Sequence, residues 1–95
     1  MVRQLINANG NPAANQFVIS TASAVYFQSY NSVVCRVDAH GVTLSANWDY
    51  SRTTAKHLYI FLQQRGYGHL CNCNEVRKAI KSGEVILVNV PSLPM

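Results

Sequence analysis

The densest group of chemically capable side chains is His69-Leu70-Cys71-Asn72-Cys73. Imidazole and thiolate are zinc ligands, and structural zinc sites take four of them, commonly in pairs about two to four residues apart. Here the pairs are tighter, Cys-x-Cys and His-x-Cys, and a fourth ligand has to come from His57 or His40. A small buried Cys71, a Cys73 in the first turn of a helix and a solvated His69 account for the same residues without a metal, so no metal and no cofactor are expected. A cysteine at a helix start has the dipole that favours a thiolate, and His69 or His57 could act as its base. Nothing in the chain supplies an orienting third group or an oxyanion site. Gly66-Tyr67-Gly68 is too little glycine to cradle a phosphate. The four carboxylates, Asp38, Asp49, Glu75 and Glu84, contain no pair spaced for acid–base work. The sequence therefore argues against an enzyme.

Binding chemistry is better represented, and it gathers in Trp48-Asp49-Tyr50-Ser51-Arg52-Thr53-Thr54-Ala55-Lys56-His57-Leu58-Tyr59-Ile60-Phe61-Leu62. Ser51 can cap a helix start, Asp49 outside it suits the positive end of the dipole, and Gly66 supplies a stop. At 100° per residue, Thr54, Ala55, Leu58, Phe61, Leu62 and the stem of Arg65 share a face that should pack on a sheet. Arg52, Lys56, Tyr59 and Gln63 lie opposite. Ile60 is the one large aliphatic residue well off the core stripe. Either another segment covers it, or Ile60 and Tyr59 centre a contact patch rimmed by Arg52 and Lys56. Tyr50, just before the helix, reads as an exposed anchor. Trp48 reads as core.

The elements that must position this helix precede it. Gln16–Thr21, Ala24–Tyr30, Val33–Asp38 and Val42–Trp48 read as four strands with tight turns between them. In the last, Val42, Leu44, Ala46 and Trp48 face the core, with Thr43, Ser45 and Asn47 outward. The fold class is α+β: a four-stranded antiparallel meander packed against two helices. Residues 1–15, with the turn chemistry of Asn9-Gly10-Asn11-Pro12, read as a flexible start or a strap. The domain proper is residues 16–90. Asn72 with Glu75 forms a capping box for a second helix that Gly83 ends. Glu84–Val90 is a near-continuous apolar run, read as a strand buried on both faces, and residues 91–95 as an extended tail.

Composition bounds the partners. The 95 residues are one small domain, and the net charge of +4 is unevenly placed. Arg3 and Arg36 cancel Asp38 and Asp49 in residues 1–50, so the whole excess belongs to residues 51–95. An acidic partner follows, a protein surface or nucleic acid. Against nucleic acid, eight basic residues are few for a dedicated binder. Tyr26, Tyr30, Trp48, Tyr50 and Tyr59 on or near the sheet could stack on single-stranded bases, but the sheet half carries no net positive charge. No signal peptide is visible, and no apolar run approaches a membrane span. Three cysteines, an odd number, suit a reducing cytosol.

The block Phe27-Gln28-Ser29-Tyr30-Asn31-Ser32-Val33-Val34, then Leu44, then Trp48 to Tyr59 with Phe61-Leu62, resembles a family of small uncharacterised bacteriophage proteins. The resemblance covers roughly residues 16–90, and Trp48–Tyr59 is its specific part. It implies phage or prophage origin rather than a reaction. It also marks Asp49, Tyr50, Ser51, Arg52, Lys56, His57 and Tyr59 as the positions to probe. The resulting expectation is a non-enzymatic protein of the host cytoplasm that binds and blocks a host macromolecule, anti-CRISPR inhibitors being one such class. Its site would be Tyr50, Arg52, Lys56, His57, Tyr59 and Ile60, against a host protein with an acidic surface. The alternatives are a nucleic-acid binder using Arg52, Lys56, Arg77, Lys78 and Lys81, and a self-assembling phage component that forms a homo-oligomer.

Overall fold

The computed structural model describes residues 1–95. Six strands form one sheet: β1 (Val2–Ile6), β2 (Pro12–Ser20), β3 (Ala24–Ser29), β4 (Ser32–Asp38), β5 (Gly41–Ser45) and β6 (Val85–Val88). They lie side by side in chain order. The first five make an antiparallel meander, and β6 returns parallel to β5. The expected four-stranded meander is β2–β5. The strand missing from that expectation is β1, in the segment read as a flexible start or a strap. Its Leu5 is fully buried in the main core. The Asn7 side chain shapes the turn to β2 by accepting from the Asn9 and Asn11 N–H groups.

Between β5 and β6 come α1 (Arg52–Gln64) and α2 (Cys73–Ser82). Both begin where their caps require. The Thr54 N–H donates to Ser51 Oγ at 3.1 Å, and the Glu75 N–H to Asn72 Oδ1 at 2.9 Å. These bonds satisfy amides that the first helical turn leaves without partners. Gly66 (φ +90°) and Gly83 (φ +87°) follow the two ends in the left-handed conformation that glycine tolerates best.

The helices cover one face of the sheet. Leu58, Phe61 and Leu62 of α1, with Val76 and Ala79 of α2, pack on Val18, Phe27, Val34, Cys35, Val42, Leu44 and Val85. Phe27 and Phe61 stack with ring centroids 5.6 Å apart. Trp48 joins this core, as its position predicts.

The other face carries a second, smaller cluster: Ala24, Tyr26, Val33 and Leu93, flanked by Ile19, Val88 and Val90. Leu93 belongs to the stretch read as an extended tail. That stretch lies over the sheet as a strap. The Val33 N–H donates to Ser92 Oγ and the Leu93 N–H to the Val33 carbonyl, both at 2.8 Å. Its path revises two expectations for the sheet. The Ala46 N–H donates to the Val90 carbonyl at 2.9 Å, drawing the chain over that end. Thr43 and Ser45 are buried, while β5 ends at Ser45 and leaves Ala46 exposed. The strand expected to be buried on both faces is β6, and it lies at a sheet edge with Ile86 55% and Leu87 45% exposed. An uninterrupted apolar run reads the same at an edge as at the centre of a sheet.

The β3–β4 turn is Tyr30-Asn31, and Tyr30 sits at φ +54°. The left-handed region costs a residue with a side chain about 1–2 kcal/mol. The turn is pinned from outside. The Tyr30 N–H donates to the Asn15 carbonyl, and Gln28 Nε2 to the Tyr30 carbonyl, both at 2.7 Å. No helix is long and apolar enough to cross a membrane.

Candidate functional site

The two helix starts meet beside Trp48. Arg77, on the second turn of α2, lies over the Trp48 ring at 5.5 Å from its centroid. Its Nη2 donates to Asp49 Oδ2 at 2.8 Å and its Nε to Cys73 Sγ at 3.0 Å. One guanidinium thus brackets the loop before α1 to the first turn of α2. The bond to Cys73 is the main cause that raises the Arg77 pKa, with the Cys73 and Asp49 charges adding to it. Tyr59 is half-buried nearby, and its hydroxyl pKa is raised. Burial is the largest cause, and Cys73 and Asp49 add to it against the opposing Arg77 charge.

This bracket walls one end of an open groove of about 500 Å³ along the start of α1. Tyr50, Ala55, Tyr59 and Cys73 line it with apolar surface, and Asp49, Ser51, Arg52 and Lys56 add polar surface. Tyr50 is 81% exposed. Four of the expected site residues, Tyr50, Arg52, Lys56 and Tyr59, therefore share this one groove. The other two lie outside its lining. His57 is on the flank of α1, its Nδ1 donating to the Thr53 carbonyl at 2.7 Å. Ile60 packs against the main core, which is the covered alternative for that residue.

The helix-period argument finds the α1 half of the groove and misses the α2 half. Cys73 and Arg77 reach the site through a contact 28 residues away in sequence, and no local pattern signals it. The match to a family of unknown function, DUF8033, spans residues 1–82. The chain belongs to DUF8033. The span runs from β1 to the end of α2 and so contains every residue of the groove, while β6 and the strap lie beyond it. No curated protein and no solved structure matches the chain.

The metal-like cluster is dispersed. His69 pairs with Glu84, and Cys73 accepts from Arg77. No three His, Cys, Asp or Glu side chains converge on a common point. Cys35 lies in the main core away from this cluster, and burial pushes its thiol pKa far up against a small opposing effect of Arg36.

The charges also sort themselves. Arg36 pairs with Asp38, Arg77 with Asp49 and Lys78 with Glu75. Of the cations considered for a basic helical face, Arg52, Lys56 and Lys81 remain without an ion-pair partner. Two of these three belong to the groove.

Proposed function

We propose that the protein is a non-enzymatic binding module whose groove takes an acidic segment of a partner protein, with an apolar side chain of that segment against Tyr50 and Tyr59. The observation that carries this reading is the charge at the start of α1. No acidic residue occupies its first turn, so the positive end of the helix dipole is uncompensated there. Asp49, the nearest carboxylate, is held by Arg77. Arg52 and Lys56 add two unpaired cations beside an apolar floor. An apolar centre with a charged rim is the usual anatomy of a protein interface.

The same ion pairs weaken the nucleic-acid reading. Two of the three α2 cations it needs, Arg77 and Lys78, already have carboxylate partners. The resemblance of residues 48–59 to phage proteins supports the finer form of the proposal, in which the partner is a host protein and binding blocks it.

The test is affinity capture from bacterial lysate with nuclease present, followed by direct titration of the purified captured protein. Arg52→Glu with Lys56→Glu should weaken that binding about tenfold to a hundredfold and leave the melting temperature near wild type, since both side chains face solvent. Capture that disappears with nuclease, together with a steep salt dependence of binding, would replace this reading with nucleic-acid binding.

A further inference from the structure

On the opposite side of Tyr50 from the groove lies a second concavity, more enclosed, of about 370 Å³. It is built where the β3–β4 turn approaches the start of α1. Tyr30 and Asn31 come from the turn, Asn47 and Tyr50 from the loop before α1, and Ser29 and Thr54 are buried beneath them. No lining residue carries a charge. That contrasts with the groove across Tyr50, which holds Arg52 and Lys56.

We propose that this pocket binds one unpaired nucleobase, as presented by a free nucleotide. Three observations lead there. First, two tyrosines from different elements line one small space, and Tyr30 and Tyr50 are both exposed. Phenol rings are stacking surfaces for the flat face of a base. Second, the polar groups suit the edge of a base. Ser29 Oγ and Thr54 Oγ1 are hydrogen-bonded to each other at 2.9 Å, and Ser51 Oγ donates to Thr54 Oγ1 at 3.2 Å, so the floor hydroxyls are engaged. Asn31 and Asn47 each bring an amide with both donor and acceptor, the pairing that the edge of a base requires. A carboxylate or phosphate would find no cation within the pocket. Third, Tyr30 holds a left-handed conformation that glycine would adopt freely, and two hydrogen bonds from outside the turn keep it there. Strain of this kind gathers where a particular side chain is needed.

The neighbouring groove favours a nucleotide over other neutral rings. A phosphate carried by the base would extend past Tyr50, which lines both spaces, toward the groove that holds Arg52. The inference shares Tyr50 and Arg52 with the acidic-segment reading and is told apart from it by Tyr30, Asn31 and Asn47, which line this pocket and not the groove.

The experiment is a titration of the ¹⁵N-labelled full chain with each of the four common ribonucleoside 5′-monophosphates up to millimolar concentration. Inorganic phosphate and methyl glucoside serve as comparison probes. At least one nucleotide should give saturable shifts of the Tyr30, Asn31, Asn47 and Tyr50 amides. Tyr30→Gly should weaken that binding about fivefold or more while keeping or raising the melting temperature, because the substitution relieves the backbone. Tyr50→Ala, at a solvent-exposed position, should also weaken it. The proposal is overturned if no nucleotide saturates, if inorganic phosphate reproduces the shifts, if methyl glucoside binds as well, or if Tyr30→Gly binds like wild type.

Discussion

The two faces of the sheet are closed by different means. On one, two capped helices close a fifteen-residue core that draws on all six strands. On the other, a few residues of strap close a cluster of four around Leu93. The first cover is made of helices that carry their own backbone hydrogen-bond ladders. The second has no internal ladder and depends on the sheet for its bonds: Val33 serves both Ser92 and Leu93. A segment that borrows its partners in this way opens at lower cost than a helix does. Stability is therefore expected to be unequal across the sheet.

The sharpest test is Phe61→Ala. Phe61 is fully buried and stacked on Phe27, and its loss should cost about 3–5 kcal/mol in urea unfolding. Leu93→Ala should cost less, about 1–3 kcal/mol, because the strap can readjust over the small cavity. It should also speed hydrogen exchange at the Leu93 and Ala46 amides and leave those of α1 unchanged. Equal acceleration of exchange at the strap and α1 amides would mean that the two covers open as one unit.

Alkaline titration probes the helix-covered side alone. The Cys35 thiol stays protonated in the folded protein well above the ordinary thiol range, while the unfolded chain ionises it there. The unfolded state then binds fewer protons, so stability falls as pH rises. The slope for that one group is about 1.4 kcal/mol per pH unit above pH ~8.5. Tyr59, also raised by burial, adds a decline of the same sign once the pH passes the ordinary tyrosine range. Cys35→Ala should flatten the first part of the decline in a stability–pH profile. In the native protein, an alkylating reagent should label the exposed Cys71 readily and Cys35 only after denaturation.

The sequence reveals what local signals and chain neighbours specify, and conceals what only the assembled sheet and helices bring together. Ser51, Asn72 with Glu75, Gly66 and Gly83 are local signals, and they place both helices within about a residue. Apolar alternation places β2–β5 because each strand pairs with its neighbour in the chain. The strap had no such signal. Pro91 and Pro94 describe an extended segment, and only the assembled sheet offers Leu93 a place to be buried. β1 was hidden because a single residue, Leu5, is its entire contribution to the core. The groove was half legible for the same reason. Arg52, Lys56 and Tyr59 follow from helical spacing and Tyr50 from its place before the helix, while Arg77 reaches Asp49 only after α2 has docked.

The parallel pairing of β6 with β5 has a bearing on how the chain folds. Every other strand pair joins neighbours across a short turn, so each can form early at little entropic cost. Val42 meets Val85 only after a loop containing both helices has closed. Among the strand pairings, that closure is the one step of high contact order. It also brings the strap to the far face, since the strap begins where β6 ends. The meander and α1 can therefore form first, with docking of the C-terminal segment completing the fold and sealing both faces in one event.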